Sequence, residues 1–206
     1  MIFKNSFLFF KKKARALYLN SNIYNKKISL FKDGSLDYRP SPSLLDCLIK
    51  FEKKKIKIEN YALNEIWNSQ NLSEKDYSNL NSFFWLFSLD LKSYKKDTQD
   101  IILKWIEKNN EYNSRSWKID IVSKRIIAWI SNSKLTYENS DPDYREKFNN
   151  LIKKQVNHLI NEIEADELID DKMVGCAAII LTGLSYQSKD GYLVSGLNLL
   201  KKIIKF

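Results

Sequence analysis

Apolar residues fall at helical spacing most clearly between residues 97 and 204. Ile119, Val122, Ile126, Trp129 and Ile130 share one face of a predicted helix. Ile121, Ile127 and Ala128 add apolar surface on other sides, so this helix should be covered from more than one direction. Upstream, Asp97 or Thr98 can cap a helix whose face is Ile101, Ile102, Trp105 and Ile106. Downstream, Asp141 precedes Pro142, which suits the first helical position, and Asp143 favours the same helix end. Phe148, Leu151, Ile152, Val156, Leu159, Ile160 and Ile163 then predict an outward-facing helix with a single apolar side. Met173–Tyr186 is apolar nearly all round, which predicts a helix buried on every side. Within it Gly175, Ala177, Ala178 and Gly183 would let neighbours approach closely. Tyr192–Ile204 is amphipathic again, with Lys201, Lys202 and Lys205 suiting the negative end of a helix.

Amphipathic and fully apolar helices in alternation predict two layers of antiparallel helices. The expected fold class is therefore all-α, with a partial α/α toroid or solenoid over residues 96–206. Residues 1–95 should form a less regular segment that packs on it. Residues 3–19 predict a basic amphipathic helix there. Asp33–Gly34 and the Pro40–Ser41–Pro42 break mark turns. Ser82–Leu91 is dense in aromatics and should pack against the helices.

Composition narrows the function classes. The chain is 44% hydrophobic and 13% aromatic, which predicts a globular domain and excludes a disordered one. Only 5 Gly and 3 Pro argue against a turn-rich β-sandwich or barrel. The formal charge is +9, but residues 1–50 carry 10 Lys/Arg against 3 Asp/Glu while residues 51–206 are nearly balanced. A body that grips nucleic acid needs a basic stripe along it, so a nucleic-acid partner is not expected. Lys11–Lys13 with Arg15 read as a solvated face. No stretch reaches the ~18 apolar residues of a membrane span, so no membrane partner is expected. No signal-peptide pattern follows Phe7–Phe10. The expected compartment is the cytoplasm, or the periplasm if the true N-terminus lies upstream.

Cys47 and Cys176 are isolated, and Cys176 reads as a core residue. His158, the lone histidine, points away from the apolar face of its helix and is expected at the surface. One histidine without a cysteine cluster gives no zinc site. No phosphate-binding glycine loop or nucleophile elbow appears, and no cofactor is expected. Arg125 is the conspicuous charge, because it sits inside an apolar helical pattern. It is either a structural cation or one wall of an anion-binding cleft. Trp117 is either a platform for a sugar ring or a core anchor. Asp170–Asp171 can cap the helix that begins before Met173.

Several segments resemble the N-terminal helical region of heparinase II/III-like polysaccharide lyases. They are Phe84–Leu91 (FWLFSLDL), Trp105–Ile106, Trp117, Ser123–Ser131 (SKRIIAWIS), Gln155–Leu159 (QVNHL) and Ala177–Leu184 (AAIILTGL). The resemblance implies an incomplete α/α toroid followed by a β-sandwich. It also implies β-elimination on uronic-acid polysaccharides, a chemistry that needs a neutralised substrate carboxylate, a base and an acid. The family's Gly-Asn-His-type motif, which helps to bind the carboxylate, would place its Asn-His pair on Asp170 and Asp171, next to Lys172. This chain therefore carries two carboxylates there. The family's catalytic tyrosine and later histidine would lie beyond residue 206, so no catalytic residue is assigned and the chain reads as truncated. The expected partners are an acidic polysaccharide and a missing C-terminal β-sandwich. The expected substrate-binding residues are Trp117, Arg125, Asp170, Asp171 and Lys172. The alternative is a non-catalytic helical scaffold that binds a protein partner, which predicts an exposed apolar groove without convergent cations.

Overall fold

A computed structural model describes residues 2–31, 36, 72–88, 95–186 and 191–204, with side chains described from residue 9 onward. The Pro40–Pro42 break, Asp33–Gly34 and Cys47 lie outside the described residues. Those described form helices joined by turns, with no strand among them. In chain order they are α1 (Ile2–Leu19), α2 (Asn22–Ile28), α3 (Glu74–Asn81), α4 (Lys95–Asn109), α5 (Ile119–Ser131), the short α6 (Ser133–Thr136), α7 (Pro142–Glu162), α8 (Ile169–Tyr186) and α9 (Tyr192–Ile204). None is long and apolar enough to cross a membrane.

The local chemistry of the helix ends explains several boundaries. Asp141 Oδ1 accepts from the Asp143 and Tyr144 backbone N–H groups at 2.8 and 3.2 Å, and Pro142 occupies the first turn of α7. Ser73 Oγ accepts from Asp76 N at 3.1 Å and starts α3. Phe83 follows the end of α3 with φ +56°, the left-handed turn that ends many helices but costs a non-glycine about 1–2 kcal/mol. Its ring offsets that cost by packing edge-on to Trp105 and Trp129, at 5.8 and 5.1 Å between centroids.

The innermost helix is α5, where Ile121, Val122, Ile126, Ile127, Trp129 and Ile130 are all buried. It packs against α8 on one side and against α7 and α3 on others. Two expectations need correction. The helix over Met173–Tyr186 is not enclosed: Met173, Ala177 and Leu184 are exposed, while Cys176, Ala178 and Ile179 face α5 and the core. An all-round apolar pattern states what a helix can bury, not what covers it. The helix α7 is not one-sided either, because α2 lies against it and buries His158.

Between α8 and α9 the backbones approach closely. A Cβ placed on Gly183 would lie 2.3 Å from Leu193 N and 2.7 Å from Leu193 Cα, and backbone cannot move aside cheaply. At Gly175 the nearest atom is Ile163 Cδ1 at 2.5 Å, the end of a side chain that can turn. Gly183→Ala is therefore expected to destabilise by about 2 kcal/mol or more. Gly175→Ala should stay near neutral, since helix propensity returns up to about 1 kcal/mol. Urea midpoints of the two variants check this contrast; equal losses would mean that the α8–α9 contact yields freely.

Candidate functional site

The residues singled out from the sequence do not converge on one surface. Arg125 is completely buried. Its NH1 donates to Asn81 O at 2.8 Å, its NH2 to Ser116 O at 3.1 Å and its Nε to Gln155 Oε1 at 3.3 Å. The guanidinium lies over the Trp105 ring, with Cζ 4.1 Å from the centroid. Burial pulls its pKa down to about 9, so it remains cationic at neutral pH. Among the described residues no carboxylate pairs with it. Carbonyl dipoles do instead, and Asn81 O belongs to the negative end of α3. Arg125 thus ties α3, α5, α7 and the turn before α5 together, and it offers no face to a ligand outside.

Trp117 is buried too. Its indole donates to Asn109 O at 3.3 Å, and its backbone carbonyl accepts from His158 Nε2 at 3.0 Å. Because a carbonyl only accepts, His158 carries its proton on Nε2, and Nδ1 accepts from the Tyr24 hydroxyl at 2.6 Å. The expectation of a surface histidine fails because Tyr24 of α2 covers that side of α7. His158 is only 3% exposed, and burial drives its pKa down to about 4. The Trp117 hydrogen bond opposes that shift, and the nearby charges of Arg125 and Arg15 add to it. Tyr24, Tyr112 and Trp117 surround the ring edge-on or tilted.

Asp170, Asp171 and Lys172 lie elsewhere, in the first turn of α8. The helix begins at Ile169, so the two acids face its positive end from within rather than capping it. The Asp171 carboxyl sits above its ordinary pKa because of burial first, then the neighbouring Asp120, Asp166 and Asp170, with Lys124 opposing. Asp120, Asp166, Asp170 and Asp171 thus lie near one another at the start of α8, with Lys124 among them. Among the described residues no three His, Cys, Asp or Glu side chains converge as metal ligands would.

The surface feature missed from the sequence is an apolar groove along α8. Met173, Ala177, Ile180, Leu181 and Leu184, with Leu200 of α9, line a recess of about 340 Å³. Met173, Ala177, Ile180 and Leu184 follow one another at steps of four, three and four, the spacing of a coiled-coil seam. The Cys176 thiol and the Tyr186 and Tyr137 hydroxyls take no part. Cys176 is buried with its pKa pushed up to about 11, and the two tyrosines are joined through Asn149.

No protein-family model, curated protein or solved structure matches this chain.

Proposed function

We propose that the chain is a non-catalytic helical scaffold that receives an amphipathic helix of a protein partner in the α8–α9 groove. The observation that carries this reading is the apolar seam of exposed Met173, Ala177 and Leu184 with half-buried Ile180 between them. It extends about 16 Å along α8, enough for a three-turn helix. The small Ala177 lets a second backbone come close, and helix-in-groove recognition uses such a stripe. The acidic first turn of α8, with Asp170 exposed, favours a partner that carries a basic residue at that end. In this reading the helices from α4 to α9 belong to a layered array of the partial α/α-toroid or solenoid kind.

A fluorescent peptide with apolar residues at the same 4-3-4 spacing and lysines elsewhere is the probe. Its anisotropy should rise on titration with the protein. Ala177→Glu places a carboxylate in the groove at an exposed helical position and should weaken binding about tenfold or more. Binding that ignores Ala177→Glu overturns the proposal. So does a concentration-dependent dimer lost in the same variant, which would give the groove to a second copy. The lyase reading implied by the resemblance needs an exposed cation to neutralise a uronate, and Arg125 spends its donors inside. With heparin, alginate or chondroitin the chain should give no absorbance of an unsaturated product; clear turnover would mean that a base and an acid lie within these residues after all.

A further inference from the structure

Residues 1–31 contain seven Lys/Arg and no Asp or Glu. Residues 2–28 fold into α1 and α2, and from Phe9 onward their described side chains meet the body on one side. On α1 that side is set by three residues. Leu19 is buried, Lys12 Nζ lies 3.3 Å from Glu167 Oε1, and Arg15 pairs with Glu162. On a helical wheel these three fall within one sector, so the opposite sector faces outward. It holds Phe10 and Leu17, 67% and 69% exposed, with Ala14 between them. Lys11 and Lys13 flank this stripe, and both are exposed and outside any ion pair among the described residues.

The shorter α2 repeats the arrangement. Tyr24, Asn25 and Ile28 turn inward, with Tyr24 on His158 and Asn25 Oδ1 accepting from Tyr112 N at 3.0 Å. The outer positions Ile23, Lys26 and Lys27 follow at i, i+3 and i+4, and Leu30 stands just past the end of the helix. Ile23 and Leu30 are 72% and 78% exposed. Both helices therefore present large apolar side chains bordered by lysines, with Arg15 turned toward Glu162 of the body and Lys12 in a surface pair with Glu167.

We propose that the outer faces of α1 and α2 form a membrane-surface docking patch that lies on an anionic phospholipid layer. No described helix crosses a bilayer, but lying on one requires only an apolar stripe at headgroup depth and cations beside it. Lysine stems suit this position, since their methylenes follow the apolar stripe while the ammonium reaches the headgroups. Charge complementarity selects the surface: Lys11, Lys13, Lys26 and Lys27, all exposed and outside any ion pair among the described residues, meet lipid phosphates. Nucleic acid fits less well. Phosphate contacts need cations to lead, and here Phe10 and Leu17 stand foremost between them.

Flotation of the full chain with phosphatidylcholine vesicles and with phosphatidylcholine–phosphatidylglycerol vesicles tests this directly. Binding is expected to the mixed vesicles alone and should fall with added salt. The Lys11→Ala/Lys13→Ala double variant should weaken binding by about fivefold per lysine. Phe10→Ser/Leu17→Ser should weaken it about tenfold or more, with an unchanged melting curve because both residues are exposed. Four results would overturn the proposal. One is absence of binding to mixed vesicles. Another is equal binding to pure phosphatidylcholine. A third is binding that survives Phe10→Ser/Leu17→Ser. The fourth is duplex-DNA binding that needs the lysines but not Phe10 and Leu17.

Discussion

Arg125→Ala is expected to lower the melting temperature by about 8–16 °C. The substitution leaves Asn81 O, Ser116 O and Gln155 Oε1 without their donor and opens a void over the Trp105 ring. A buried polar group stripped of its partner costs about 1–3 kcal/mol, so the loss should reach about 4 kcal/mol. For a chain of this size each kcal/mol is worth about 2–4 °C. Such a loss is a large share of the ~5–15 kcal/mol that holds a typical domain together. Arg125→Lys keeps the charge but cannot span three acceptors that lie in different directions, so it should recover only part of the loss. Thermal unfolding followed by circular dichroism measures both. A parent-like melting temperature for Arg125→Ala would mean that water replaces the guanidinium without penalty.

Acidification is expected to unlatch the N-terminal helices. His158 has a folded pKa of about 4, below the ~6.5 of an unfolded chain. Above pH 6.5 both states are neutral there and its contribution to stability is complete. As the pH falls below 6.5 the unfolded chain takes up a proton that the folded one refuses. Stability then drops by about 1.4 kcal/mol per pH unit until the folded pKa is reached, about 3 kcal/mol in all. Tyr24 and Tyr112 face the ring, the charges of Arg125 and Arg15 act on it, and Glu162 acts on Tyr24. The difference in urea midpoint between wild type and His158→Gln, followed from pH 7.5 to 4.5, isolates the histidine from the carboxylates. A difference independent of pH would show that His158 is not buried neutral.

Periodicity and capping chemistry made α4, α5, α7, α8 and α9 legible, because Asp141–Pro142 and the Ile/Trp faces are local signals. Arg125 was legible as a cation inside an apolar pattern. Its partners were not, since two of the three are backbone carbonyls, which every residue carries. His158 misled because its cover, Tyr24, stands 134 residues away, and nothing near His158 in the sequence announces it. The groove misled for the opposite reason. Met173, Ala177 and Leu184 are as apolar as any core residue, and nothing local distinguishes a face already covered from one that is open. The aromatic density of Phe83–Phe87 announced packing, but not that Phe83 would take a left-handed turn.

The distance along the chain between Tyr24 and His158 also sets a timetable for synthesis. Translation at about 5–20 residues per second means that α2 leaves the ribosome roughly seven to twenty-seven seconds before α7 can meet it. Throughout that interval Tyr24 and Ile28, wholly covered in the finished fold, stand open beside Phe9 and Phe10. Nascent chains of this protein thus expose α1 and α2 to chaperones and proteases until α7 is made. A pause in translation before His158 lengthens that exposure, whereas one after it does not.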